Sequence, residues 1–143
     1  MKVKKLRWCM LFIAFFGIFG MVLANGSTDV QAKSVKKSLA KIVNEQLSSD
    51  TDLGNMTFKW DKSSESFVAT LDPDSTLYQQ MDQGQVTIWD SLVDTIKDDS
   101  KQIKKKGYSK YSAFQILNPS DKSRTFLQVY CGKVHYNVRD DLD

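Results

Sequence analysis

The stretch VTIWDSLVDTIKDDSKQIKKKG, Val86 to Gly107, decides the fold. Its apolar residues fall at Ile88, Trp89, Leu92, Val93, Ile96 and Ile103, a spacing of three and four that gathers them on one side of a helix. Thr87 is placed to accept from the first free amides, and Asp90, three residues on, completes a start like a capping box. At the other end Lys104, Lys105 and Lys106 put positive charge where the macrodipole is negative, and Gly107 suits the left-handed conformation that ends a helix. A helix this long and this one-sided needs an apolar surface to cover.

The flanking segments supply one. Ser34 to Leu47 repeats apolar residues at Val35, Leu39, Ile42, Val43 and Leu47, with Lys36, Lys37, Lys41, Asn44 and Glu45 off the stripe, which predicts an N-terminal helix. Met56, Phe58 and Trp60 alternate with polar residues, and after Lys62-Ser63-Ser64 so do Phe67, Ala69 and Leu71. That pattern is a β-hairpin. Asp72-Pro73-Asp74-Ser75 stops it, because Pro73 has no N–H to give a ladder, and Ser75 is an N-cap for a short helix over Thr76 to Met81.

Beyond the long helix, Tyr111 to Leu117 reads as a strand with Phe114 and Ile116 turned inward. Asn118 to Ser123 is a run of turn formers. A last hairpin follows, with Gly132-Lys133 as its two-residue loop. Cys131 then faces Val134, Val129 faces Tyr136 and Leu127 faces Val138 on a mostly apolar side. The other side carries Phe126, Gln128, Tyr130, His135, Asn137 and Arg139. The expected fold is α+β: an antiparallel sheet of about five strands, a β-hairpin plus a three-stranded C-terminal meander. The long amphipathic helix and the N-terminal helix pack on one of its faces.

The first residues are of another kind. Lys2, Lys4, Lys5 and Arg7 precede the apolar run Trp8 to Ala24, and Asn25 to Gln31 is polar. Val30-Gln31-Ala32 offers small residues for signal-peptidase cleavage after Ala32, with Val22-Leu23-Ala24 as a second choice. Residues 1–32 therefore read as a signal peptide and 33–143 as a single α+β domain. Ala24 is followed by Asn25, not by the cysteine a lipoprotein needs. Of 20 basic and 17 acidic residues, removal of 1–32 takes four and one, leaving 16 of each. A neutral mature chain gives no global electrostatic case for nucleic acid, and the lysines at 101 and 104–106 have a use as a helix C-terminus. One cysteine, Cys131, remains, so no disulfide forms within the mature chain.

The catalytic patterns are thin. Cys131 and His135 fall on opposite sides of the expected hairpin, so they are not a nucleophilic dyad. One histidine and one cysteine do not start a zinc site, and Asp72-Pro73-Asp74-Ser75 lacks the glycine and bidentate glutamate of a calcium loop. No cofactor, metal or catalytic set is expected. The outward face of the last hairpin mixes aromatics with hydrogen-bonding groups, as interface centres do, and makes Phe126, Gln128, Tyr130, His135, Asn137 and Arg139 the candidate binding residues.

The Val-Gln-Ala leader end, the lysine-rich first helix, and the run Asn118-Pro119, Phe126-Leu127 and Gly132 to Tyr136 resemble small exported proteins of unknown function from Gram-positive bacteria. The resemblance implies an exported protein and transfers no activity. The expectation is a secreted or cell-envelope domain that binds a protein or envelope ligand without catalysis. A retained anchor would instead make it a membrane-tethered immunity or exclusion factor, and convergence of Asp72, Asp74 or Asp140 in one cleft would make it a carboxylate-based hydrolase. Intact mass of the native protein tests the leader. A species in the culture medium beginning at Lys33 is expected; a full-length mass confined to membranes would show the anchor retained.

Overall fold

The computed structural model describes residues 28–141, with side chains from residue 32 onward. The apolar run at residues 8–24 lies outside the described residues. The element order is α1 (Thr28–Ser48), β1 (Lys59–Asp61), β2 (Ser66–Thr70), α2 (Thr76–Asp82), α3 (Thr87–Lys105), β3 (Phe114–Leu117), β4 (Thr125–Tyr130) and β5 (Lys133–Asn137). Short 3₁₀ turns stand at Thr51–Leu53, Ser109–Tyr111 and Val138–Asp141.

The fold is α+β, with the five strands in chain order across one sheet. Residues from one sheet face (Phe67, Ala69, Phe114, Ile116, Leu127, Val129) join Val35, Leu39, Val43 and Leu47 of α1 and Trp89, Leu92, Ile96 and Ile103 of α3 in a single buried cluster. Three residues at its sheet-side centre, Phe58, Phe67 and Phe114, add oriented ring contacts: Phe58 meets Phe114 edge-on at 5.4 Å and Phe67 stacks on Phe114 at 5.3 Å. The helical stripes read from spacing are the stripes that are buried.

One expectation about the sheet needs correction. β1–β2, β3–β4 and β4–β5 are antiparallel, but β2 and β3 run parallel, with Phe67 beside Phe114 and Ala69 beside Ile116. The sheet is mixed, not wholly antiparallel. The reason is length: α2 and α3 together return the chain to the end of the sheet where β2 began, which is the crossover that parallel neighbours require.

Three local corrections follow from hydrogen bonding. α3 starts at Thr87 with Val86 as its N-cap and no side-chain cap bond, so Thr87 is inside the helix and Asp90 serves another partner. Asn44 is not a solvated polar residue: its amide accepts from the Phe58 N–H at 2.7 Å and donates to the Phe58 carbonyl at 2.9 Å, docking α1 onto the entry to β1. α1 also begins earlier than expected, so the bond after Ala32 lies within it. Ser75 caps α2 as read, accepting from the Tyr78 N–H at 3.1 Å.

Asp99, on α3, is buried beside Gln46 of α1. Burial pushes its carboxyl well above the ordinary carboxylate value; the Gln46 side chain works against that shift and Asp98 adds to it. A raised folded-state value means the folded chain holds a proton that the unfolded chain releases above pH 3.8. Stability is then full below that pH and falls by about 1.4 kcal/mol per pH unit until the folded-state value is passed. Asp99→Asn removes this slope. In urea titrations the variant should match the wild type near pH 4 and exceed it at pH 7 to 8; an equal or lower stability of the variant at pH 8 would show that the acid folds charged.

Candidate functional site

The site is set by how the last hairpin is held. Its turn is Cys131-Gly132, not Gly132-Lys133: Tyr130 pairs with Lys133 and Val129 with Val134. Both turn residues have positive φ, 52° and 75°, as a type I′ turn requires. Two serine hydroxyls fix the turn in place. Ser112 Oγ accepts from the Cys131 N–H at 3.2 Å, and Ser100 Oγ accepts from the Gly132 N–H at 2.9 Å while donating to the Ser112 carbonyl at 2.6 Å. A Cβ on Gly132 would sit 2.8 Å from Lys101 Cβ, so only glycine lets the turn approach α3 this closely.

Two irregularities in β4 and β5 then redistribute the six candidate residues. Past Val129–Val134 the register shifts: Gln128 pairs with Tyr136 and Leu127 with Asn137, which leaves His135 as the extra residue of a bulge. A second shift on the β3 side pairs Ile116 with Leu127 and Leu117 with Thr125, leaving Phe126 extra. Phe126 and Asn137 thereby turn toward α3. The Phe126 ring meets buried Trp89 edge-on at 6.3 Å, and Asn137 Oδ1 accepts from Trp89 Nε1 at 2.8 Å and from the Arg139 N–H at 3.1 Å. Arg139 leaves the face as well, pairing with Asp90 at 3.0 Å. Gln128, Tyr130 and His135 stay on the open face, so the expected six-residue surface is divided into three and three.

The three that remain are joined by residues that sequence reading did not single out. An open groove of about 270 Å³ is lined by Ser64, Ser66, Ala113, Phe114, Gln115, Gln128, Val129, Tyr130 and His135. Ser64 and Ser66 hydroxyls lie 2.7 Å apart, Gln115 Nε2 donates to Ser66 Oγ at 3.1 Å, and the Tyr130 and His135 rings are 6.3 Å apart. Tyr130 is 45% exposed. Its hydroxyl is held above the ordinary phenol value, first by its hydrogen bond with the Cys131 side chain and then by the negative charge that sulfur carries when ionised and by slight burial. The one available signal for Gln115 was its position between Phe114 and Ile116, pointing away from the core. That it lies beside Val68 follows from the parallel β2–β3 pairing, and beside Gln128 from the antiparallel β3–β4 pairing.

Other candidates are placed differently. Cys131 Sγ is 3.6 Å from Ser112 Oγ, and His135 is turned to Tyr130 instead. Asp72 accepts from the Asn55 and Asp74 N–H groups, both at 2.9 Å, and these two bonds, Asn55 first, hold its carboxyl below the ordinary value. Its geometry is that of a loop tie, and Asp140 lies in the C-terminal 3₁₀ turn. Among the described residues no cluster of three histidine, cysteine or carboxylate side chains could hold a metal ion, and no helix is long and apolar enough to cross a membrane. No protein-family model, no curated protein and no solved structure matches the chain.

Removing the Ser100 hydroxyl leaves the Gly132 N–H and the Ser112 carbonyl without this buried partner. Ser100→Ala should cost about 1 to 3 kcal/mol in urea denaturation and raise hydrogen exchange at Gly132; a loss under 0.5 kcal/mol would show that the turn is held by the ladder alone.

Proposed function

We propose that this protein is a non-enzymatic binding domain acting outside the cytoplasm, in the medium or at the cell envelope, and that it holds its ligand on the open face of its sheet. One observation carries the reading. The helices cover a single face, and across the other runs a row of amides, hydroxyls and one exposed ring around a shallow groove. The groove lining contains no carboxylate, lysine or arginine. Gln115 and Gln128 donate through Nε2 to Ser66 and Thr125, which leaves their amide oxygens as acceptors for a ligand's donors.

Acceptors beside an exposed tyrosine ring suit a hydroxyl-rich segment. Sugar hydroxyls donate to the amides while the C–H face of the ring lies on Tyr130. The leader-like N-terminus supports an envelope source for such a ligand. The test is retention on purified, insoluble cell-wall glycan by wild type and by the Gln128→Ala, Tyr130→Ala double variant. Because Tyr130 is half exposed, the thermal midpoint should stay within a few degrees of wild type. Retention should fall roughly tenfold, the effect of about 1.4 kcal/mol lost at an interface. Equal retention of the two proteins would remove the open face as the binding surface.

A further inference from the structure

The neutral groove ends at the hairpin tip, where the surface changes character. Lys101, Lys104 and Lys105 lie at i, i+3 and i+4 on α3 and so share one face of its last turns. Gly132 packs directly on Lys101, which brings the backbone of the next residue, Lys133, to the end of α3; Lys133 is the cross-strand partner of Tyr130 and carries positive charge from there onto the open face. Lys110 follows in the 3₁₀ turn after the helix. All five are exposed. Among the described residues no carboxylate lies within ion-pair distance of any of them. The nearest acids on the helix, Asp98 and, one turn further back, Asp94, are exposed and mark the boundary of the basic surface.

The helix macrodipole does not account for this arrangement. Its effect is confined to the last turn, which needs Lys104 and Lys105 but not Lys101, Lys110 or Lys133. Like charges at i and i+4, here Lys101 and Lys105, cost a few tenths of a kcal/mol. Gathering them from three separate segments builds a positive surface.

We propose that this surface takes the phosphates of a linear polyol-phosphate polymer of the cell envelope, whose hydroxyl-bearing units continue into the groove beside Tyr130. The second half of that statement rests on the groove reading; the first half does not. A polymer fits better than a free anion, because the lysines are exposed on three elements and no buried donor forms a cradle for one ion. Five point charges on flexible stems gain affinity by summation over a repeating charge. A polyol phosphate fits better than nucleic acid, since the cluster contains no arginine, Tyr108 and Tyr111 are buried, and Tyr130 alone is no platform for successive stacked bases.

The probe is purified poly(glycerol phosphate), with single-stranded DNA and anionic phospholipid vesicles as the competing classes. Wild-type binding should weaken with salt, log K falling against log salt with a slope of about −2 to −4 for three to five phosphates engaged. Replacing Lys101, Lys104, Lys105 and Lys133 together by Gln should lower affinity roughly tenfold or more and flatten the slope, whereas the four Lys→Arg replacements should keep both. Absence of wild-type binding, a Gln variant that binds as well as wild type, or tighter binding of DNA or vesicles than of the polymer would each overturn the proposal. The neutral-glycan assay above reads the groove separately. Retention there by a protein that ignores the polymer sinks the lysine surface alone, and polymer binding unaffected in the Gln128→Ala, Tyr130→Ala variant upholds the lysine surface while detaching it from the groove.

Discussion

The C-terminal half of the fold depends on the buried hydroxyl of Ser100. It is one of the few polar side chains in the interior, and it joins three elements at once: its own helix, the Ser112 carbonyl ahead of β3, and the Gly132 N–H in the last turn. Such a bond is modest in net energy but expensive to leave unmade once buried. By seizing Gly132 it places the turn at Cys131-Gly132 and fixes the near end of β5 in one register. A second anchor, Trp89 Nε1 to Asn137 Oδ1, fixes the far end. The two anchors are out of phase by one residue. Continued unbroken from the turn, the ladder would direct Tyr136 toward the helices and Asn137 away from them. The bulge at His135 absorbs the difference, and in doing so it places His135 and Tyr136 opposite Gln128 on the open face.

That conflict explains why the fold was more legible than the site. The stripes of α1 and α3, the Ser75 cap and the alternation of Phe67, Ala69, Phe114 and Ile116 are all set within a turn or two of sequence, and each is where spacing predicts. The partner of Trp89 is 48 residues away, and the serine that holds Gly132 is 32 residues away. Nothing in the local pattern of residues 125–139 announces either. Alternation counted outward from an assumed Gly132-Lys133 loop therefore assigned Phe126, Asn137 and Arg139 to the wrong surface. The parallel β2–β3 pair was hidden for the same reason: two hairpins can be read from turns, whereas their junction is fixed by how the intervening helices cross the sheet.

The near balance of 20 basic and 17 acidic residues conceals a separation of roles. Several acids act as ties within or between loops. Asp61 accepts from Ser63 and Ser64, Asp72 from Asn55 and Asp74, and Asp121 from Ser123, and each carboxyl is held below its ordinary value chiefly by those bonds. These charges tie turns and are partly neutralised by the donors they collect. Asp90 is taken by Arg139, and Asp99 is buried. Lys101 on α3 and Lys133 at the hairpin tip have no comparable local duty, so their field reaches solvent while much of the acidic charge is engaged at short range.

The same geometry separates stability from recognition along two adjacent strands. Leu127 and Val129 are buried under α3, and Phe126 and Asn137 close around Trp89. Gln128 and Tyr130, between and beyond them, bear almost none of that packing, as the exposure of Tyr130 shows. A strand whose alternate residues answer to different constraints can change its outward chemistry without disturbing its core, provided the register is pinned elsewhere. Here it is pinned at both ends by side chains of α3, Trp89 and Ser100, roughly three turns apart on the same helix. The long helix is thus more than a cover for the sheet: the spacing of its two polar contacts determines which side chains the open face presents.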